Sequence, residues 1–294
     1  MSERRILITG GGGQLASDLE VLLADEAELL SLPRAVLDVT DDAAVAAVFG
    51  DLRPTLVLNC AAFHNVEVCE REEDQAFAVN GRAVKRLAQR CAEGNAKFVH
   101  LSTNYVFDGS AIVPYDEGSL PNPRSIYAIS KLAGEHAALT YAPGSLVVRT
   151  AGLYGLHGSV SKGGNFVTRM IARAREQGAL TVVSDQLLTP TFTADLAAGI
   201  VAAVEAGVTG PLHLTNSGFT SWHGFTEAIM EMAGVEVTVE AATTTIAPGA
   251  ADRPLNGVLR SWVSERTGLV PLRPWRKALG DYLERAGLLV GAAA

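Results

Sequence analysis

Along the first half of the chain, short apolar runs alternate with stretches whose apolar residues recur at helical spacing. Residues 4–9 form a compact apolar run that stops at Gly10-Gly11-Gly12-Gly13, and from Gln14 onward Leu15, Leu19, Leu22 and Leu23 fall on one helical side. A second run follows at 28–32. Thr40-Asp41-Asp42 then caps an alanine-rich helix reaching Phe49, with acids in the first turn where the helix dipole favours them. Residues 55–58 predict a third strand. A long amphipathic helix over 74–91 carries Ala76, Asn80, Ala83, Leu87 and Cys91 on its inward stripe. Next come a buried strand ending in Ser102 and Thr103, a helix opening at Tyr127 and running to about Thr140, and a strand over 146–149. This alternation predicts an α/β fold with a doubly wound parallel sheet.

From Thr150 the pattern changes. A glycine-rich loop covers 152–164, followed by a helix over 165–176, a short strand at 180–184 and a helix over 195–204. A late strand is expected at 212–215, an amphipathic segment at 221–232, and a closing helix with Trp275, Ala278, Leu279, Tyr282 and Leu283. Residues 1–150 read as one domain to which about 187–215 return. Residues 151–294 read as a smaller α/β domain interwoven with it, forming the far wall of a cleft.

With 294 residues, 48% of them apolar, the chain can bury a full core. A net charge of −8, a pI near 5.3 and the lack of any Lys/Arg run argue against nucleic-acid or anionic-membrane partners. The opening MSERRILITG holds too short an apolar run for a signal segment or a membrane span, so a cytoplasmic protein is expected. Cys60, Cys69 and Cys91 lack metal or disulfide spacing, and the six histidines form no known metal motif, so no metal site is expected.

Strand, glycine turn, helix is the order that presents backbone N–H groups to a pyrophosphate. Gly10, Gly13 and Ala16 keep the G-x-x-G-x-x-A register, with Gly12, Gln14 and Leu15 inside the turn. The second strand ends in Pro33-Arg34, without the acid that would take a ribose 2′-hydroxyl. Arg34 therefore either pairs with a 2′-phosphate, pointing to NADPH with NADH as the alternative, or is a solvated loop cation. Asp38 and Val39 are placed to border an adenine, and Cys60, Ala61 and Ala62 are small enough for backbone to approach a flat ligand. Asn80, polar on an apolar stripe, needs a partner, expected on the strand bearing Ser102 and Thr103.

Tyr127 and Lys131 are four apart on one helix and share a face. A neighbouring ammonium lowers the pKa of a phenol, ordinarily about 10, and makes it usable as an acid. Thr103 at the strand end is placed to hydrogen-bond the oxygen that Tyr127 protonates, as ketone reduction requires. Asn165 suits either a diphosphate or a helix cap. Arg253 suits a substrate phosphate or an ion pair, Tyr105 sugar contact or packing, and Trp222 core more than a stacking platform.

Taken in order, ITGGGGQLA, LDVTD, NCAAF, STNYVFDG, YAISKLAGE, GGNFV, SDQLLTPT, TSWHGF and RPLN resemble the extended short-chain dehydrogenase/reductase superfamily. Within it they resemble the dTDP-4-dehydrorhamnose reductase family, over nearly the whole chain. The resemblance implies a Rossmann-type sheet with a smaller substrate domain, NADPH or NADH as cofactor, and reduction of a nucleotide-linked 4-keto-6-deoxysugar. It also implies Thr103, Tyr127 and Lys131 as the catalytic triad, with Lys131 on the cofactor ribose. Two positions depart from the family. Asn104 stands where an Asp beside the sugar is usual, and Gly152 where a Trp is, so the sugar or nucleotide is expected to differ. The inserted loop at 159–164 reads as a lid or a plain connection.

Three other functions are compatible with such a fold. A 4-epimerase would use the same Tyr and Lys while retaining its NAD. A non-catalytic regulatory subunit, like that of methionine adenosyltransferase, would not need the intact Thr103, Tyr127 and Lys131. A 4,6-dehydratase would need an Asp-Glu pair where Asn104-Tyr105 stands. The sequence leaves a homodimer open.

Overall fold

The computed structural model describes residues 4–25, 28–157, 164–247 and 249–290. The chain begins with β1 (Arg5–Thr9), α1 (Gln14–Leu23), β2 (Glu28–Leu32), α2 (Asp42–Leu52) and β3 (Leu56–Asn59). Ile6, Leu7 and Ile8 of β1 and Val57 and Leu58 of β3 are wholly buried, as expected of strands covered on both faces. Asp41 caps α2, accepting the Ala43 and Ala44 N–H groups at 3.0 Å.

Where one helix was expected over 74–91, the chain forms α3 (Val66–Cys69), α4 (Glu73–Phe77), a π-helical turn (Ala78–Ala83) and α5 (Val84–Glu93). The inward stripe survives this break, with Ala76, Asn80, Ala83, Leu87 and Cys91 all at 0% exposure. The partner of Asn80 is not the one expected. Its Oδ1 accepts the Phe63 N–H at 2.9 Å, while Nδ2 donates to the Phe63 carbonyl at 2.9 Å and to Ser130 Oγ at 3.0 Å. The chain has left the sheet at Phe63, and a carboxamide supplies both the acceptor and the donors that this stretch of backbone needs. Asn80 therefore anchors the loop after β3 rather than the strand bearing Ser102 and Thr103.

The central strand β4 (Lys97–Thr103), α6 (Ile126–Tyr141), β5 (Leu146–Thr150) and β6 (Leu153–Tyr154) follow. Next come α7 (Phe166–Gln177), β7 (Ala179–Val183), β8 (Leu187–Leu188), β9 (Thr191–Phe192), α8 (Thr193–Glu205) and β10 (Gly210–His213). The chain closes with β11 (Thr220–Ser221), α9 (Trp222–Ala233), β12 (Thr238–Ala242), α10 (Trp262–Thr267) and α11 (Trp275–Arg285). Residues 158–163, which hold most of the expected 159–164 loop, lie outside the described residues.

Six strands form one parallel sheet in the order β10-β5-β4-β3-β1-β2, the doubly wound Rossmann-type arrangement. The strand order reverses between β3 and β1, so a crevice opens at their carboxyl ends. One face of the sheet packs against α1 and α8, the other against α2, α5 and α6. A second core gathers Tyr154, Phe192, Phe225, Trp275 and Tyr282 among α7, α9 and α11. Its strands pair only in twos, β7 with β12, β8 with β11 and β6 with β9. Among the described residues no helix is long and apolar enough to cross a membrane.

Candidate active site

A cavity of about 710 Å³ opens at the crevice between β1 and β3, within the range of small-ligand sites. Its floor is the glycine turn. Gly10 has φ +75°, and a Cβ there would lie 2.7 Å from the Ala61 nitrogen, so only glycine lets the two backbone segments meet. The Gly11 N–H donates to the Leu32 carbonyl at 2.9 Å and that of Gly13 to the Gly10 carbonyl at 3.2 Å. Gly13 caps α1, whose first residues Gln14, Leu15 and Ala16 line the cavity. Their N–H groups have no carbonyl within the helix to bond.

Pro33, Arg34, Asp38 and Val39 form the rim, and Cys60, Ala61 and Ala62 the wall beside β3. Arg34 is exposed, its Nε 3.6 Å from the Asp38 carboxylate. Hydrogen bonds from the Thr40 side chain and N–H, at 2.7 and 2.9 Å, hold the Asp38 carboxyl below its usual range. Burial pushes the Cys60 thiol up to about 12, so it is an inert wall residue. Gln14 Oε1 and Thr150 Oγ1 are buried at the cavity without a hydrogen-bond partner among the described residues. A cradle that a Cβ would fill, free helix-start N–H groups and two orphaned oxygens fit a bound dinucleotide.

Thr103 ends β4 and Tyr127 is the second residue of α6, whose N-cap Ser125 accepts the Ala128 N–H at 3.3 Å. The Glu70 carboxylate accepts the Ile126 N–H at 2.8 Å and pins the same helix start. Thus placed, the Tyr127 phenol lies beside the Thr103 side chain, which draws its pKa down, and meets the Tyr105 ring edge-on at 5.9 Å. Lys131 is 2% exposed. Its Nζ donates to the Leu101 carbonyl at 2.5 Å and lies 3.5 Å from His100 Nε2.

The protonation of this cluster differs from the expectation. Burial pushes the Tyr127 phenol up, opposed by the neighbouring Thr103 side chain, and Lys131 is not among the groups that shift it. The ammonium is tied instead to the backbone of β4. The phenol keeps its proton at neutral pH, the form in which a proton donor starts. Burial also brings Lys131 down to about 8, against the opposing pull of Glu135 and Cys60.

Ser102, at the cavity wall, donates to Glu135 Oε1 at 2.5 Å, and Glu135 is paired with Arg149 at 2.6 Å. Asn104 is buried, with its Nδ2 donating to the Gly257 carbonyl at 3.0 Å and its Oδ1 accepting from Thr103 Oγ1 at 3.4 Å. A carboxylate cannot make the first bond, so the departure from Asp is built into the contact with Gly257, where a Cβ would lie 2.2 Å from Asn104 Nδ2. Gly152 has φ +58°, a left-handed conformation that favours glycine, and a Cβ there would meet Leu188 Cδ1 at 2.8 Å and the Thr189 carbonyl at 3.0 Å. Both departures are accommodated by the packing around them.

The two residues expected at a phosphate both have partners within the protein, and of them Asn165 lines the cavity. Asn165 caps α7 by accepting the Thr168 N–H at 3.0 Å, and its Nδ2 donates to the Gly155 carbonyl and to Tyr282 Oη, each at 2.7 Å. Both amide hydrogens are used within the protein, as befits the helix cap. Arg253 pairs with Glu67 at 2.8 Å, its charge draws the Tyr105 phenol down against burial, and it is not among the residues lining the cavity. Trp222 lines the cavity beside Phe166, ring centres 4.5 Å apart, while packing on Phe225, so it is both wall and core. Arg169, Gln186, Leu187 and Leu188 also line this far side and were missed. Arg169 stands one helical turn beyond Asn165, a spacing that would have found it. Among the described residues no cluster of His, Cys, Asp or Glu has metal-ligating geometry.

The family model described as "RmlD substrate binding domain" matches residues 4–287. The chain is 40% identical to the dTDP-4-dehydrorhamnose reductase of Streptomyces griseus, covering 94% of this chain and 92% of that protein. It is 37% identical to the dTDP-4-keto-6-deoxy-D-glucose reductase of Streptomyces niveus, covering 94% and 95%. The crystal structure of dTDP-4-dehydrorhamnose reductase from Bacillus anthracis in complex with NADP superimposes with a TM-score of 0.91 at 32% identity, covering 97% of this chain and all of that one.

Proposed function

Because the chain belongs to the RmlD substrate binding domain family, whose reductase members it matches over nearly its whole length, we propose that it reduces the 4-keto group of a dTDP-linked 6-deoxysugar. Hydride goes to C4, and Tyr127 gives its proton to the oxygen. The reading is carried by the pairing of Thr103 and Tyr127 on the wall of the cavity into which the glycine turn opens. NADPH supplies the hydride when bound along Gly10–Gly13. Arg34 at the rim, with no acid at the end of β2, favours a 2′-phosphate, and the Bacillus anthracis relative is in complex with NADP.

Each residue then has a task that its surroundings support. Thr103 orients the keto oxygen, and the protonated Tyr127 phenol is the acid. Lys131, held on the Leu101 carbonyl at the cavity wall, is placed to hydrogen-bond the cofactor ribose. Phe166 and Trp222 offer an aromatic wall to the nucleotide, and the Arg169 guanidinium suits its diphosphate. The small Gly152 and the Asn104–Gly257 bond shape the sugar end.

The test follows NADPH absorbance against a panel of dTDP- and UDP-linked 4-keto-6-deoxysugars, with NADH run in parallel. Turnover is expected with a dTDP sugar and faster with NADPH. Tyr127→Phe is expected to keep cofactor binding and lose at least about a hundredfold in kcat. Near-normal turnover of that variant would reject the role given to the phenol.

A further inference from the structure

Behind the site, away from the cavity, a line of buried polar groups runs from β1 through β3 to β4 and ends on Lys131. Thr9, Asn59 and His100, at 0%, 1% and 0% exposure, are adjacent across the sheet, and no step of the reaction proposed above uses them. Thr9 Oγ1 lies 2.6 Å from Asn59 Oδ1, Asn59 Nδ2 lies 3.0 Å from His100 Nδ1, and His100 Nε2 lies 3.5 Å from Lys131 Nζ.

These distances orient the chain of hydrogen bonds. A separation of 2.6 Å is ordinary for O–H···O and short for N–H···O, so Thr9 donates its hydroxyl proton to the Asn59 oxygen. The Asn59 amide nitrogen then faces His100 and donates, which makes Nδ1 the acceptor. Burial and the nearby Lys131 push the imidazole well below its usual pKa, so the ring is neutral and its one proton sits on Nε2. The 3.5 Å gap to Lys131 is too long for a good ammonium–imidazole bond, and the lysine sits on the Leu101 carbonyl at 2.5 Å instead.

We propose that His100 is a positioning residue for Lys131. Locked as the Nε2–H tautomer by Thr9 and Asn59, it turns a donor rather than a lone pair toward the lysine nitrogen, so the lysine releases its proton more readily while staying anchored on β4. The other ionisable groups acting on Lys131 are Glu135 on its own helix and Cys60 after β3, while the π turn packed on α6 offers Asn80, which does not titrate. Glu135 opposes the effect of His100, but its carboxylate is already bonded by Arg149 and Ser102. His100, 3.5 Å from the lysine nitrogen, is thus the neighbour whose proton placement is adjustable, beside the burial that lowers Lys131 and the Glu135 and Cys60 charges that oppose it.

The consequence for turnover rests on Lys131 belonging to the proposed triad, whereas the test needs no substrate. Histidine ring ¹⁵N correlations on the intact protein report the His100 tautomer, and ¹³Cε-lysine spectra report the Lys131 titration midpoint. The wild type is expected to show Nε2–H. His100→Gln, which can turn an amide oxygen to the lysine, is expected to raise the Lys131 midpoint by about one pH unit. Asn59→Asp, which cannot donate to Nδ1, is expected to move the ring proton to Nδ1 and raise the midpoint too, and it serves if His100→Gln does not fold. An Nδ1–H or protonated His100 in the wild type, or a midpoint unmoved in the folded variants, would overturn the proposal. A protein inactive on every ketosugar would leave these readouts intact.

Discussion

On the sheet side of the cavity, Gly10, Thr103 and Tyr127 are placed by backbone. A parallel strand ends, a turn with positive φ follows, and a capped helix begins. On the far side, Asn104, Asn165 and Gln186 are placed by side-chain bonds that span 153, 117 and 58 residues of sequence. The first kind of placement comes with the sheet itself. The second depends on single bonds that can change one at a time, which is where a family can vary its sugar while keeping its chemistry.

This contrast can be broken or sharpened by substitution. The largest effect is expected on the sheet side, where Arg149→Met would leave the Glu135 carboxylate buried beside Ser102 without its cation. Removing one partner of such a pair costs about 3–5 kcal/mol, so thermal melting should show a collapse of stability with no selective change in sugar binding. A variant melting near the wild type would show that water reaches Glu135 and that this wall is less rigid than described.

Gly10→Ala comes next. Its Cβ would meet the Ala61 backbone at 2.7 Å in a left-handed conformation, a strain of about 1–3 kcal/mol. NADPH titration should weaken along with melting, because the turn proposed to hold the cofactor is the one packed on Ala61. On the far side, Asn165→Ala removes a helix cap and the bonds to Gly155 and Tyr282, about 1–2 kcal/mol. Here KM for the nucleotide sugar should rise while KM for NADPH holds, and equal rises in both would erase the distinction between the walls.

The smallest effect is a pH dependence in the loop under the far side. Asp108 accepts from the Ser110 N–H and hydroxyl, Tyr115 Oη and Asn122 Nδ2, at 2.8–3.0 Å, and these bonds hold its carboxyl far below the usual value. A lowered folded-state pKa contributes stability that is present above the unfolded value near 4 and is lost as pH falls toward the folded one. The difference in melting temperature between wild type and Asp108→Asn should therefore be constant from pH 7 to 5 and shrink below 4. A difference that grows on acidification would contradict the assignment.

The sheet strands, the glycine turn and the Tyr127–Lys131 helix were readable from residues because each is encoded locally, by apolar runs, glycines and i, i+4 spacing. Even so, the Lys131 nitrogen goes to the Leu101 carbonyl, which no spacing rule gives, and the inward Asn80 goes to Phe63 because the chain leaves the sheet there. On the far side, two-residue strands such as β8 and β11 carry no period to detect. The Trp222–Phe166 wall likewise joins residues more than fifty apart.

By itself the sequence determined the alternation of strands and helices, the place of the glycine turn and the grouping of Tyr127 with Thr103 and Lys131. Tertiary structure alone decided the surroundings that shift those groups and the shape of the far side of the cavity. Local order follows from torsion and periodicity within a few residues. Burial and long-range hydrogen bonds exist only once distant segments meet, and they set the charge of Tyr127, Lys131 and His100.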